Sequence, residues 1–183
     1  FGYGSKTGID LMGETTGILF DPKNMGDVET ATTAFGQGIS VSAIQLITAA
    51  SAAVNGGNLL KPTVLKAFGI SNTNELLYQT TPQVVRQVIS KETSSLVRET
   101  LESVVSLGTG KNAYIENYRV GGKTGTAQKA VNGSYLSGNY ITSFIGFLPA
   151  DDPEIVIYIA VDNAKGITQY GGTVPTLKSE KII

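Results

Sequence analysis

The triplet Lys-Thr-Gly occurs twice in this sequence, at Lys6-Thr7-Gly8 and at Lys123-Thr124-Gly125. A lysine ammonium places positive charge beside a substrate carboxylate and beside the path along which a nucleophile loses its proton. A threonine hydroxyl can donate to a carboxylate, and a glycine lets a peptide substrate lie close against a strand. A backbone N–H just past the glycine can stabilise a developing oxyanion, which contributes about 3 kcal/mol per donor in acyl transfer.

The two triplets differ in their surroundings. Lys6-Thr7-Gly8 lies in a Gly- and Thr-rich stretch without periodicity, which predicts a turn with no chemistry. The second triplet follows Gly121-Gly122 and precedes Thr126-Ala127 within a predicted strand. Because side chains alternate along a strand, Lys123 and Gly125 should lie on one face, and Thr124 and Thr126 on the other.

The composition excludes several kinds of site. The 183-residue chain has no His and no Cys. It therefore has no thiol nucleophile, disulfide, Ser-His-Asp triad or imidazole metal ligand. Its net charge is −1, without the excess of Lys and Arg that nucleic-acid-binding domains carry, so we expect no nucleic-acid partner. Acid–base chemistry would fall to Lys, Tyr, Asp or Glu.

Two helices are predicted. Ser42 with Gln45 forms a capping box before an apolar stripe, and Gly56-Gly57 should end that helix. Ser90 caps a second helix, which Gly108 should end. Residues 1–38 resemble an extended loop region with short elements.

Strand patterns lie mainly in the C-terminal half. They cover Thr63–Phe68, Arg119–Gln128, Tyr140–Leu148 and Glu154–Val161, with residues 69–89 ambiguous. Turns are predicted at Asn132-Gly133 with Ser137-Gly138-Asn139, and at residues 149–153. Strands gathered after helices and joined by short turns indicate an α+β fold with an antiparallel sheet packed with helices.

Longer segments carry a family resemblance. VGGKTGTAQK at 120–129 resembles the third active-site motif of class B penicillin-binding proteins, one component of a signature shared with β-lactamases. FGYGSKTGIDLMGE at 1–14 is similar to the segment after that family's Ser-x-Asn motif. The segments at 35–62, 143–163 and 170–174 resemble its core helix, terminal hairpin and final helix region, in the family's order. Within the family, the division and sporulation type is the nearer match.

The resemblance implies a fold, an activity and roles for four residues. The fold would be the penicillin-binding transpeptidase or β-lactamase-like fold, and the activity that of a serine-type D,D-transpeptidase cross-linking stem peptides. Lys123 would be the catalytic lysine of the motif, hydrogen-bonded to the Ser of Ser-x-Asn. Thr124 would bind the substrate carboxylate, Gly125 would allow its close approach, and Thr126 would supply an oxyanion N–H.

The resemblance also implies the surroundings of the domain. Its ligands would be the D-Ala-D-Ala end of a peptidoglycan stem peptide and β-lactams, without a metal or organic cofactor. Further partners would be the N-terminal part of the same domain and a glycosyltransferase of the cell-wall machinery. The location would be the extracytoplasmic face of the cell membrane, on an anchor upstream of these residues.

The catalytic serine is not evident. No Ser in the sequence has Lys three positions later, and Ser137-Gly138-Asn139 follows Lys-Thr-Gly where the family places Ser-x-Asn before it. We therefore expect residues 1–183 to be the C-terminal portion of one transpeptidase domain. Ser-x-x-Lys and Ser-x-Asn would lie upstream of Phe1, and this portion alone should be inactive. The final PTLKSEKII departs from the small-residue run that the family has there.

Three alternatives stay open at this point. The full protein could be a D,D-carboxypeptidase or β-lactamase, which the upstream motifs and a deacylating base would decide. It could be a non-catalytic β-lactam sensor on the same fold. The chain could also be a fragment with no function of its own.

Overall fold

A computed structural model describes residues 1–73, 75–131, 134–166 and 168–179. The backbone contacts group the chain into two units. The first unit holds Phe1–Ala53 and Gly57–Ser90, and the second holds Val54–Gly56 and the chain from Lys91 onwards. Within the described ranges, no helix combines the length and the apolar character that crossing a bilayer requires.

Two helices and two strand pairs build the first unit. They are α1 (Asp27–Ala34), α2 (Ala43–Val54, whose last residue counts with the second unit), β1 (Asn58–Leu60), β2 (Ala67–Ile70), β3 (Glu75–Gln79) and β4 (Val84–Gln87). β1 pairs with β4 and β2 with β3, both antiparallel. Residues 1–38, predicted as a loop region with short elements, are mostly irregular and contain the short helix α1. The start of α1, which the sequence pattern did not locate, is held by the Gly26 N–H donating to Glu29 Oε2 at 3.0 Å.

The capping box predicted at the start of α2 is confirmed. The Ser42 N–H donates to Gln45 Oε1 at 2.9 Å, and the Gln45 N–H donates to Ser42 Oγ at 3.3 Å. The buried Gln45 amide also donates to the carbonyls of Ser5 and Thr16, at 2.8 and 3.0 Å. Because a buried amide must be paired, this one residue both caps the helix and fixes the N-terminal loops of the first unit.

The strand predicted at Thr63–Phe68 is partly wrong, because β2 begins only at Ala67. Asp10 holds the preceding residues in a loop. Its carboxylate accepts from Thr63 Oγ1 at 2.6 Å, from the Val64 N–H at 2.8 Å and from the Leu65 N–H at 2.9 Å. Backbone donors that bond to a carboxylate are not available to a sheet, which explains the late start of β2.

These bonds make the first unit sensitive to acid. The Thr63 hydroxyl and the two backbone N–H groups lower the pKa of Asp10 to about 2, below the value of about 3.9 in an unfolded chain. The stabilisation is therefore complete above pH ~4 and is lost as the pH falls towards 2.

Asp10→Asn should lower the urea concentration at the midpoint of unfolding at pH 7, and this difference from wild type should vanish near pH 2. Asp152→Asn, which removes an exposed carboxylate from a turn, is the control and should leave the unfolding midpoint at pH 7 close to that of wild type. A pH-independent difference for Asp10→Asn would contradict this assignment.

The second unit contains the sheet that carries Lys123. Its elements are α3 (Lys91–Ser106), a 3-10 turn (Lys111–Ala113), β5 (Gly121–Val131), β6 (Ser134–Leu148), β7 (Ile155–Asp162) and α4 (Val174–Ser179). The sheet order is β5-β6-β7, with both pairs antiparallel. The helix predicted after Ser90 is confirmed, as is the hairpin through residues 149–153, where Leu148 pairs with Ile155. The predicted α+β class with an antiparallel sheet is confirmed.

The connection between β5 and β6 differs from the prediction. The turn predicted at Asn132-Gly133 lies outside the described residues. Ser137-Gly138-Asn139 was also predicted as part of that turn, and this is wrong, since it lies inside β6. Pairing continues beyond it to Val131 and Ser134, so the segment forms a bulge opposite the register shift at 128–130. Gly138 has left-handed backbone there, at φ 72°, which glycine adopts without strain.

A core cluster of the second unit lies on the sheet face that carries Phe144. Phe144 of β6 is buried there against Val105 of α3, Ala113 and Val120. The ring of Phe144 occupies the space that a side chain at Gly122 would need, and Phe147 does the same at Gly121. The two glycines before Lys123 therefore let aromatic rings of β6 pack directly against the backbone of β5.

A charged cluster fixes α3 to the start of β5. Arg119 donates to both carboxylate oxygens of Glu102 at 2.8 and 2.7 Å, and forms an ion pair with Asp151 at 2.9 Å. The hydrogen bond from Arg119 lowers the pKa of Glu102. Asp151, in the predicted turn at residues 149–153, thus has an ion-pairing role between the hairpin and β5.

Candidate active site

Lys123, Thr124, Gly125 and Thr126 lie on β5, an outer strand of the three-stranded sheet. They pair with Ile145, Phe144, Ser143 and Thr142 of β6 in regular register. The opposite edge of β5 has no strand partner among the described residues. Lys123 is exposed and the next three residues are half-buried. The strand thus offers backbone groups along a free edge, where an extended peptide could pair.

The predicted alternation of faces is present. Thr124 and Thr126 lie on the face of the sheet that carries Thr142 and Phe144, both fully buried. A side chain at Gly125 would instead meet Ser143 Oγ at 2.6 Å, on the other face. The Lys123 ammonium bends back to its own strand and donates to the Thr124 carbonyl at 2.8 Å. The ammonium therefore sits at the backbone of the motif.

Two loops contact the threonine hydroxyls, which lie on the sheet face that carries Phe144. Thr109 Oγ1, in the turn after α3, lies 3.0 Å from Thr124 Oγ1. The Gly171 N–H donates to Thr126 Oγ1 at 3.0 Å. The two loops are themselves joined, because the Asn112 amide donates to the Gly172 carbonyl at 2.7 Å. Both hydroxyls of the motif are thus held by one connected support.

Gly171 also packs on the motif backbone. A Cβ at Gly171 would collide with the carbonyl oxygen of Gly125 and would lie 2.9 Å from its N and C atoms. On the other face, Tyr158 hydrogen-bonds to Ser143, and burial raises the pKa of Tyr158. The backbone at Gly125 is therefore enclosed by Gly171 on one side and by Ser143 on the other.

The neighbouring cations are already paired. Lys129 donates to both oxygens of Asp162, at 2.7 and 2.8 Å, which bridges the ends of β5 and β7. Arg119 is held by Glu102 and Asp151. Among the described residues, no carboxylate forms an ion pair with Lys123. Lys123 is therefore the cation on this strand whose charge is available to a ligand.

The first Lys-Thr-Gly has a different structure. The Thr7 N–H and hydroxyl both donate to Glu14 Oε1, at 2.5 and 2.6 Å, and the Gly8 N–H donates to Glu14 Oε2 at 3.0 Å. These bonds, led by that from the Thr7 hydroxyl, lower the pKa of Glu14. The triplet lies outside the strands. Its donors are consumed by an internal carboxylate, as expected for a loop without chemistry.

Three residues of the motif's support were not foreseen from the sequence: Thr109, Asn112 and Gly171. Thr109 stands between two glycines, and Gly171 precedes another, but neither pattern shows which strand the loop will meet. In the described part of the chain, no three acidic side chains form a group that could hold a metal ion.

Comparisons with known proteins show the family of the chain. The model of the penicillin binding protein transpeptidase domain matches residues 1–183. Stage V sporulation protein D of Bacillus subtilis is 59% identical over 174 residues, covering 95% of this chain and 27% of that protein. A probable peptidoglycan D,D-transpeptidase, PenA of Neisseria meningitidis, is 32% identical, covering 100% of this chain and 29% of that protein.

Solved structures match over almost the whole chain. The transpeptidase domain of penicillin-binding protein 3 from Burkholderia pseudomallei superposes with a TM-score of 0.82 at 35% identity, covering 99% of this chain and 52% of that one. Penicillin-binding protein 3 from Mycobacterium tuberculosis, complexed with aztreonam, gives 0.87 at 30% identity, covering 99% and 42%.

The chain spans about a quarter to two fifths of the length of the first curated relatives that it matches. The matches cover both units, from the first residues to the end of the described part. The resemblance to class B penicillin-binding proteins of the sporulation and division type is thereby confirmed. The chain belongs to the penicillin-binding protein transpeptidase domain family.

Proposed function

We propose that residues 1–183 form the C-terminal portion of a peptidoglycan D,D-transpeptidase domain and carry its substrate-binding and oxyanion strand. The observation that supports this most directly is the placement of Lys123–Thr126 on a free sheet edge. There, two hydroxyls share one face, and the Lys123 ammonium, for which the described residues offer no carboxylate partner, lies at the strand backbone.

The proposed reaction is acyl transfer through a serine ester. A serine from a part of the domain outside these residues attacks the peptide bond of a D-Ala-D-Ala stem peptide, and the terminal D-Ala leaves. An amine of a neighbouring strand then takes the acyl group and releases the serine. A β-lactam would acylate the same serine.

The motif residues take distinct roles in this proposal. Lys123 supplies positive charge near the nucleophile's proton path and the substrate carboxylate. The Thr124 hydroxyl donates to that carboxylate, and Gly125 leaves room for the substrate on the edge. Along an antiparallel strand, residues two apart direct their backbone groups to the same edge. The Thr126 N–H thus shares the edge of the Thr124 carbonyl, where it can bond the tetrahedral oxyanion.

The relatives guide the biological setting. The 59% identity to Stage V sporulation protein D supports a sporulation role. From the family resemblance we also propose a place on the extracytoplasmic face of the membrane, with an upstream anchor and a glycosyltransferase partner. A D,D-carboxypeptidase or β-lactamase is the alternative activity. The transpeptidase names of several relatives favour transfer over hydrolysis. A second alternative is a non-catalytic sensor. In a sensor the acyl group would stay on the serine, whereas a transpeptidase passes the acyl group of a stem peptide to an amine.

The test is covalent labelling. Full-length protein incubated with fluorescent penicillin should retain label after denaturing electrophoresis, whereas residues 1–183 alone should not, since no Ser in them has the expected lysine partner. The control is full-length protein that has been unfolded before labelling, and it should retain no fluorescent label. Absence of label on the folded full-length protein would refute the function. Label on residues 1–183 alone would place the nucleophile within them and refute the proposed division of the site.

A further inference from the structure

In the contact between Thr109 and Thr124, either hydroxyl could donate the hydrogen bond, and the choice affects what Thr124 can bind. Their hydroxyl oxygens lie 3.0 Å apart, and either can be the donor. Within the described residues, neither hydroxyl has another hydrogen-bond partner. The Lys123 ammonium bonds to the Thr124 carbonyl rather than to the Thr124 side chain. Which of the two hydroxyls donates in this bond therefore depends on the groups that approach them, such as a bound ligand.

A hydroxyl has a single proton to donate. If Thr124 donates to Thr109, it has no proton left for an anion on the strand edge. If Thr109 donates, the Thr124 oxygen is satisfied as an acceptor and its proton is free to point at a ligand. An approaching carboxylate favours the second arrangement, since hydrogen bonds in a chain ending on an anion polarise one another.

At Thr126, the second threonine of the motif, the direction of the corresponding hydrogen bond is fixed. Thr126 Oγ1 accepts from the Gly171 N–H at 3.0 Å. A backbone amide can only donate, so the proton of the Thr126 hydroxyl must point away from Gly171. The support thus leaves one hydroxyl proton available at Thr126, and Thr109 can do the same at Thr124.

Thr109 is held firmly enough to act in this way. The N–H groups of Gly108 and Gly110, on either side of it, both donate to the Val104 carbonyl of α3, at 3.1 and 3.0 Å. A Cβ at Gly172 would lie 2.6 Å from the Thr109 carbonyl oxygen, so the two loops are in close contact. The turn is therefore fixed to the end of α3 on one side and to the Gly171-Gly172 loop on the other.

We propose that Thr109 is a positioning residue: it donates to Thr124 Oγ1 and so orients the Thr124 proton towards the carboxylate of the stem peptide or β-lactam. The proposal rests on the proposed function of the strand. Thr109 itself touches neither the substrate nor the reacting atoms.

The test uses full-length protein with Thr109→Val, which keeps the shape and removes the hydroxyl, and Thr109→Ser, which keeps it. Acylation rates are measured with benzylpenicillin and with its methyl ester, which lacks the carboxylate. We expect Thr109→Val to react about three- to tenfold more slowly with benzylpenicillin and at the wild-type rate with the ester. Thr109→Ser should behave as wild type with both compounds.

Any other result would contradict a specific part of the proposal. Equal slowing with both compounds would mean that Thr109 only supports the fold, and faster reaction of Thr109→Val with benzylpenicillin would mean that Thr124 donates to Thr109. An unchanged rate would also overturn the proposal while the function of the strand stands. A wild-type protein that reacts with neither compound would overturn the function and this proposal together.

Discussion

Lys123→Met is expected to slow acylation of the full-length protein by benzylpenicillin about 10²- to 10⁴-fold, the range that a positioned acid–base group contributes. Methionine keeps most of the stem and removes the charge. In the structure the ammonium lies at the Thr124 carbonyl, with no carboxylate partner among the described residues. Its removal should therefore cost little stability and should act on the reaction itself. Stopped-flow acylation and thermal unfolding of the same samples separate the two effects.

The matched control is Lys6→Met, which makes the same change in the same triplet. Lys6 is also exposed, but the Thr7 and Gly8 groups beside it are bound to Glu14. We expect Lys6→Met to acylate at the wild-type rate. If Lys123→Met did the same, Lys123 would have no part in the chemistry, and a loss at Lys6→Met would show that the two triplets had been assigned the wrong way round.

Gly171→Ala is expected to slow acylation about 100-fold, because displacing a catalytic group by roughly 1 Å can cost that much. The added methyl would meet the N, C and O atoms of Gly125, which are backbone atoms and cannot rotate aside. Either β5 shifts, or the Gly171 loop withdraws and the bond from its N–H to Thr126 Oγ1 is lost. Such overpacking should also destabilise the protein by about 1–3 kcal/mol. The checks are the acylation rate and urea unfolding of the full-length variant.

Gly166→Ala serves as the control for this substitution. Gly166 has φ 72°, and a Cβ there would have no neighbour within 4 Å. Its cost is therefore the left-handed backbone alone, about 1 kcal/mol or slightly more. We expect reduced stability with normal acylation. Normal acylation of Gly171→Ala at wild-type stability would show that the close contact with Gly125 does not position the motif.

Local patterns in the sequence predicted the elements whose determinants lie within one segment. The Ser42–Gln45 box, the helix ending near Gly108 and the hairpin at 149–153 depend on neighbours a few residues apart, and all three are present. The errors occurred where a distant partner decided the outcome. Asp10 captures the N–H groups of Val64 and Leu65 and delays β2. Pairing with β5 beyond the bulge keeps Ser137-Gly138-Asn139 inside β6.

The sequence by itself determined the family, through the resemblance of its longer segments and their order. It also determined the strand that carries Lys123–Thr126 and the alternation of its side chains, because a strand period is a local property. It also excluded thiol and imidazole chemistry, since the chain has neither Cys nor His. Only the tertiary structure decided that Glu14 binds the donors of the first triplet, and which loops hold the threonine hydroxyls of the second. Those contacts join residues 15 and 45 positions apart. Their partners depend on how α3 and the Gly171 loop pack against the sheet, which no local pattern specifies.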